Sequence, residues 1–539
     1  MQTSTLPARA LLKLRWGGRL AGPPLVVWVP AVLATAVLLL PIAYLILRAS
    51  GASADVWESL FRARTLEILL RTLGLIAAVG GLSVALAVPL AWLTVRTDLP
   101  YRRGIAVLSA LPLVIPSYVG AFLLISALGP RGTLQQILQG PFGVQQLPSL
   151  YGFPGTVLCL TLLSYPYVYL GVRAALWKLD PSLEEAARSL GRSARQTLLL
   201  VILPTLRPAI AGGFLLVALY VLSDFGAVAL LRYETFTWAI YLQYRGAFDR
   251  TGAAALSLVL AIFALALLHG EMATRGTDRY ARVGSGVVRT PQIARLGGWR
   301  WPAFALSALV LAFALGLPVA MLAYWIVLGV MSGEQLDPVW QLATNSVYVS
   351  AIAAVVTAAT ALPVAVLIVR FRSVFSQWIE QASYVAFALP GIVIALALVF
   401  FGAQYAPFIY QALPLLILAY LIHFLPTALG SLRTALLNVN PNVEEAARSL
   451  GHGPLRALLE VTLPLVRPGL FAGMAMVFLL TMKELPATLL LSPIGFKTLA
   501  TSVWSFAEAG FFARTAFPTL VLLAVSSIPM AVLITRDSR

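Results

Sequence analysis

The stretch Leu183-Glu184-Glu185-Ala186-Ala187-Arg188-Ser189-Leu190-Gly191 recurs 260 positions later as Val443-Glu444-Glu445-Ala446-Ala447-Arg448-Ser449-Leu450-Gly451. Each copy leads into a second shared element, Leu203-Pro204-x-x-Arg207-Pro208 and Leu463-Pro464-x-x-Arg467-Pro468. Both are polar islands in a greasy chain. A polar segment repeated between membrane spans reads as a docking surface for a soluble partner, used twice.

The surroundings support that reading. Of 539 residues, 60% are hydrophobic and 11% charged, with a mean hydropathy of +0.88. A soluble domain carries roughly 25% charged residues, so the composition indicates an integral membrane protein. Apolar runs of helix length recur, each sufficient to cross a hydrocarbon core of ~30 Å. Alternating segments of about ten residues, as in an outer-membrane barrel, are not the pattern. The fold class expected is all-α. Twelve spans are predicted, near 24–47, 66–95, 103–128, 153–177, 203–224, 251–270, 302–330, 340–369, 379–402, 410–436, 463–484 and 513–535.

Sidedness follows from Lys and Arg in short loops. Arg9, Lys13, Arg15 and Arg19 precede the first span, which reads as a retained anchor with its N-terminus in the cytoplasm. Arg96, Arg102 and Arg103 then fall on the same side, as do Arg173, Lys178, Arg188, Arg192 and Arg195. The central connection adds Arg275, Arg279, Arg282, Arg289, Arg295 and Arg300, whereas the outer loop 129–150 holds only Arg131. The expected layout is a cytoplasmic tail (1–23), a first six-helix repeat (24–270), a basic linker (271–301) and a second six-helix repeat (302–539). Arg96 and Pro116 recur as Arg370 and Pro390 at an offset of 274, against 260 for Pro166, Arg173 and the islands. The difference of 14 is extra length in the first half's outer loop. Such parallel repeats are related by a pseudo-two-fold axis along the membrane normal, and a pore or cleft on that axis is expected.

Each island opens with Pro181 or Pro441 after Asp180 or Asn440, good first-turn and capping types. Two glutamates in the first turn suit the positive end of the helix dipole. Ala186, Ala187 and Leu190, or Ala446, Ala447 and Leu450, make a small apolar face, and Gly191 and Gly451 suit a left-handed helix end. A single copy could be an ordinary amphipathic interfacial helix; two in matching loops favour a helix that fits a partner's groove.

Glu185-Ala186-Ala187-x3-Gly191-x9-Val201-x-Leu203-Pro204, with the same spacing from Glu445 through Gly451 and Val461 to Pro464, resembles the EAA signature of bacterial ABC importer permeases. Valine replaces the family's isoleucine in both copies. The resemblance implies a fused permease of the inner membrane, both termini cytoplasmic. It implies that Glu184, Glu185, Ala186, Ala187, Arg188 and Gly191 dock one ATPase copy, and Glu444, Glu445, Ala446, Ala447, Arg448 and Gly451 a second. It also implies a substrate-binding protein outside, with loop 129–150 as a candidate contact. None of the four lysines, Lys13, Lys178, Lys483 and Lys497, follows a glycine, so no phosphate-cradling G-x4-G-K-[S/T] loop exists here. The chain is therefore expected to be no enzyme and to hold no cofactor, with ATP and Mg on the partner. Nucleic acid is not an expected partner; the charge of +17 is spread over short loops facing the bilayer surface.

Leu222-Ser223-Asp224-Phe225-Gly226 and Met482-Lys483-Glu484-Leu485-Pro486, with Tyr233-Glu234-Thr235 and Gly495-Phe496-Lys497 beyond them, look like the corresponding stretches of fused ferric-iron permeases. Fe(III) is the substrate this implies, thiamine, polyamine and phosphonate permeases being close relatives. A secondary carrier with six-plus-six helices is a rival from another class; it would need no ATPase. Asp224 and Glu484 are equivalent at offset 260, at the ends of equivalent helices. Carboxylates at membrane depth are usually functional, and hard cations prefer oxygen ligands. Asp224 and Glu484, with Tyr220 and Tyr233, are candidates for the pathway and for transient metal contact. The alternative is that both acids are helix-end charges in interfacial water, Lys483 pairing with Glu484. His423, with Leu163 at the equivalent place in the first half, reads as hydrogen-bonded to a neighbouring helix rather than as a ligand, and the single cysteine, Cys159, as packing, since small residues fill helix contacts.

Overall fold

The computed structural model describes residues 23–537, apart from 275–292, 335–338, 247–248 and positions 52, 61, 131 and 180. The N-terminal basic residues, Arg131, Asp180 and the arginines from Arg275 to Arg289 lie outside the described residues. All regular structure among the described residues is helical, save one isolated bridge between Thr97 and Ala294. Nine helices are long and apolar enough to cross a membrane among the described residues, or ten with one bent pair counted as a span. They include Leu25–Ser50, Ala63–Arg96, Val339–Arg370 and Leu413–Asn438.

Two of the twelve expected spans are not continuous helices. The segment expected at 103–128 is Arg102–Leu108, a short 3-10 turn at Leu111–Val114, then Ser117–Leu128. The segment at 379–402 is Val374–Ala388 followed by Gly391–Tyr405. Proline causes both breaks. The ring of Pro116 or Pro390 disfavours helical geometry in the residue before it. Ile115 accordingly has φ −76 and ψ 119, and Leu389 φ −73 and ψ 125, both extended. These prolines are a repeat pair, so the two halves are broken at the same place.

Proline leaves a second, gentler mark. Among the described residues three helices contain a π-helical turn, at Leu198–Ile202, Ala312–Gly316 and Leu458–Thr462. Each is followed by Leu-Pro: Leu203-Pro204, Leu317-Pro318 and Leu463-Pro464. A proline cannot donate to the carbonyl four residues back, and the preceding turn absorbs the missing bond by widening. The spans stay continuous, as Arg195–Ser223, Gly297–Met331 and Leu455–Met482.

The halves interlock. Leu25–Ser50 packs on Val339–Arg370, Val374–Ala388 and Gly391–Tyr405 of the second half, with Trp28 stacked on Phe375 at 5.9 Å. Reciprocally, Leu317–Met331 packs on Ser117–Leu128 of the first half. Within each half the helix that follows the island crosses its neighbour at a glycine. A Cβ on Gly213 would lie 2.7 Å from Val168 Cα, and one on Gly473 3.3 Å from Ala428 Cα. Small residues let helices approach where lipid supplies no hydrophobic drive between them. The end of the central linker folds back onto the first half: the N–H of Ala294 donates to the Arg96 carbonyl at 2.8 Å, and that of Leu296 to Asp98 Oδ1 at 2.8 Å.

Candidate functional site

The two broken helices and the ends of Leu203–Ser223 and Leu463–Met482, with Phe153–Lys178 and Leu413–Asn438 beside them, line an open chamber of about 180 Å³. Asp224 and Glu484 both line it, as do Tyr220, Tyr118, Tyr167, Lys483 and His423. Of the four residues singled out from sequence for the pathway, three therefore meet in one cavity. Tyr233 does not: its hydroxyl donates to the Arg71 carbonyl at 3.2 Å, and its ring lies 5.6 Å from that of Phe153.

The acids are held by matched but unequal devices. Asp224 Oδ1 accepts the N–H groups of Ala227 (3.0 Å) and Val228 (3.2 Å), at the start of the short Gly226–Leu230 helix. Glu484 Oε1 accepts the N–H of Ala487 at 3.3 Å, in the first turn of Pro486–Leu491. The residue after each helix-breaking proline then faces the acid. It is Ser117 in the first half, hydrogen-bonded to Asp224, and Gly391 in the second. A Cβ on Gly391 would stand 2.6 Å from Glu484 Oε1. The longer acid is thus accommodated by the missing side chain, and the shorter acid is met by a serine. Replacing Gly391 with alanine is expected to push the Glu484 carboxylate aside. The overpacking should destabilise by about 1–3 kcal/mol, read as a lower midpoint of thermal unfolding in detergent.

Of the other lining groups, Tyr118 and Tyr167 were not legible in the sequence as site residues. The Tyr118 hydroxyl is buried with no hydrogen-bond partner among the described residues, and the rings of Tyr167 and Tyr220 pack at 5.6 Å. The Lys483 ammonium donates to the carbonyl of Leu113, in the other half, at 2.9 Å. His423 hydrogen-bonds the backbone of Leu389 and leaves Nδ1 without a partner among the described residues. No group of three or more His, Cys, Asp or Glu side chains able to hold a metal ion occurs among the described residues.

The islands are surface helices, Pro181–Ser189 and Pro441–Ser449. Each ends on a glycine with positive φ, +82 at Gly191 and +87 at Gly451. The chain closes behind it with N–H bonds from Gly191 to Arg188 O (2.9 Å) and Arg192 to Ala187 O (3.1 Å), repeated at Gly451 and His452. Cβ atoms there would meet nothing within 4 Å, so only backbone conformation asks for glycine at these two positions.

The helices do not present the face expected. Ala187 and Ala447 are buried, and Glu184 is only 5% exposed. Glu184 turns inward to an ion pair with Arg96 Nη1 at 2.7 Å, and Glu444 likewise with Arg370 Nε at 3.0 Å. Both arginines also donate to carbonyls near the end of the preceding long helix, Leu176 and Val439, each at 3.1 Å. Each island is thereby pinned to the last residue of a membrane helix, Ala63–Arg96 or Val339–Arg370. The outward face is instead Leu183, Ala186 and Leu190, or Val443, Ala446 and Leu450, spaced to share one side of a helix. Leu190 and Leu450 are each 82% exposed. Glu185, Arg188, Glu445 and Arg448 are also at the surface.

Two matched portions of the chain, 83–269 and 358–536, correspond to the family of binding-protein-dependent transport system inner membrane components. The chain belongs to this family. It is the permease of an ABC importer, a multi-pass inner-membrane component that works with an ATPase and a binding protein and is not itself the ATPase. The permease is 36% identical to an Fe(3+)-transport system permease of Haemophilus influenzae, over 92% of this chain and 95% of that one. It is 25% identical to a ferric transport system permease of Actinobacillus pleuropneumoniae, over 84% and 68%. A molybdenum transport system permease of Escherichia coli K12 is 31% identical, over 36% of this chain and 90% of the relative. That match is the size of one half, as expected if a single-unit permease corresponds to one repeat of the duplicated chain.

Proposed function

We propose that the permease carries ferric iron through the chamber between its halves, driven by two ATPase subunits docked on the Pro181–Ser189 and Pro441–Ser449 helices. The observation that carries this reading is the convergence of Asp224 and Glu484, repeat equivalents, on one cavity. Two carboxylates and three tyrosines offer the oxygen donors a hard cation prefers, whereas an oxyanion such as molybdate would meet like charge. Similarity to the two ferric permeases over most of the chain points the same way.

In this reading the nine long helices, the two proline-broken segments and the C-terminal Phe512–Asp537 helix make twelve crossings. They form two parallel six-helix repeats, 24–270 and 302–539, joined by the basic linker 271–301, with both termini in the cytoplasm. Closure of the ATPase pair pushes on the two surface helices. The Arg96–Glu184 and Arg370–Glu444 pairs pass that push to the membrane helices, and the proline breaks beside the chamber provide the places that bend. ATP and Mg sit on the ATPase; Glu185, Ala186, Arg188 and Gly191, with Glu445, Ala446, Arg448 and Gly451, face it. A binding protein delivers the ion from outside.

The test is uptake into proteoliposomes holding the permease with its ATPase and binding protein. ATP-dependent accumulation of ferric iron, unaffected by excess molybdate, is expected. Uptake of molybdate but not iron would overturn the assignment.

A further inference from the structure

The chamber already contains a cation of its own. Asp224, Glu484 and Lys483 are the charged side chains lining it among the described residues, two carboxylates and one ammonium, and no ion pair joins them within 4 Å there. Glu484 is close enough to Lys483 to act on it electrostatically. The lysine nevertheless spends a hydrogen bond elsewhere, on the Leu113 carbonyl across the junction between halves, at 2.9 Å. That carbonyl is available for a reason. Leu113 lies in the Leu111–Val114 turn, whose three-residue bonding would take a donor from residue 116, and residue 116 is a proline with no N–H.

Among the described residues the second half has no such bridge. The repeat equivalent of Lys483 is Ser223, 260 positions earlier and too short to span the junction. The second break is instead met from within its own half by His423 at the Leu389 backbone. The hydrogen bond is one-sided: an ammonium from the second half reaches the break of the first, beside the packing of Leu317–Met331 on Ser117–Leu128.

We propose that Lys483 is a specificity-determining resident cation: it supplies the positive charge of the chamber at rest, clips the two halves together, and yields only to an ion of higher charge. This rests on reading the chamber as the ion pathway. Attraction to the two acids scales with the charge of the visitor. Sodium or potassium, equal in charge to the ammonium and untethered, gains nothing by exchange. A divalent or trivalent hard cation does, and its entry frees the Leu113 carbonyl and loosens the junction in the same event.

The experiment is Mn(II) binding to the purified permease–ATPase complex, followed by electron paramagnetic resonance with Mn(II) alone as the probe. Lys483→Gln removes the charge and keeps an N–H donor, and should bind Mn(II) about tenfold or more tightly than wild type, since an ammonium no longer opposes the ion. Lys483→Arg should stay within about twofold of wild type, keeping charge and donor. Adding Glu484→Gln to Lys483→Gln should remove the gain. If Lys483→Gln is not monodisperse, Lys483→Ser, which copies the residue of the first half, takes its place in the comparison. Equal Mn(II) affinity in wild type and the uncharged variant, or a gain that survives Glu484→Gln, overturns the proposal. The pathway reading fails separately: iron uptake undiminished by neutralising Asp224 and Glu484 would remove it, and the Mn(II) gain would still decide whether Lys483 supplies the positive charge of the chamber.

Discussion

Arg96→Ala is expected to destabilise the permease by about 3–5 kcal/mol, the usual penalty for leaving one partner of a buried ion pair uncompensated. Arg96 and Glu184 are 1% and 6% exposed as side chains, so the surviving carboxylate would have no water to turn to. The same change at the repeat position should matter less. Arg370 and Glu444 are 10% and 21% exposed, and the freed glutamate can be hydrated, for which about 1–2 kcal/mol is a reasonable expectation. Removing both charges at once, as Arg96→Met with Glu184→Leu, should recover most of the loss, because the cost of burying two charges disappears together with their attraction. Denaturant titration in detergent reads all three. The functional signature is separate: with the island unpinned, ATP hydrolysis should no longer be matched by uptake. A destabilisation by Arg370→Ala as large as that by Arg96→Ala would contradict the burial argument.

The second large effect belongs to the outward face. Leu190→Asp with Leu450→Asp is expected to weaken the docking of each ATPase subunit roughly thirtyfold. Burying a leucine contributes about 2 kcal/mol, and each subunit loses one, which amounts to about one and a half factors of ten. Folding should be untouched, because both side chains are 82% exposed and nothing in the permease rests on them. Surface-captured permease titrated with the purified ATPase gives the affinity directly. Retention of tight binding by the double variant would mean that the ATPase grips another surface.

The duplicated islands, the all-helical membrane fold and the equivalence of Asp224 with Glu484 were legible in the sequence, because each is a matter of spacing and composition. That intramembrane prolines should kink helices was legible too; which of them, Pro116 and Pro390, break the helix outright was not. Proline also occurs within continuous helices here, at Pro89, Pro166, Pro363 and Pro426, so its presence alone does not separate a break from a passage. The repeat carried a usable signal, since Pro116 and Pro390 are each followed by the residue that faces an acid. The facing of the islands was misread at Ala187 and Ala447. A nine-residue helix has small residues on two sides, and only the reach of Arg96 and Arg370 decides which side turns in. Those arginines recur at the ends of equivalent spans, a clue that sidedness alone had absorbed. Tyr233 was placed near the pathway by sequence proximity to Asp224, yet the chain turns between Leu230 and Phe236 and carries it to Arg71. A pairing of Lys483 with Glu484 was part of the alternative reading only; its bond to Leu113 joins residues 370 apart in sequence, beyond the reach of any local pattern.

The most direct measurement is ATP-driven uptake of radioactive ferric iron by proteoliposomes containing the permease, its ATPase and its binding protein, comparing wild type with Asp224→Asn plus Glu484→Gln. The account predicts accumulation in the wild type and a fall of about a hundredfold or more in the double variant, two charged contacts of roughly 1.5 kcal/mol each being lost. Ferric iron uptake at the wild-type rate in the double variant would contradict it, and would return both acids to being the caps of two short helices.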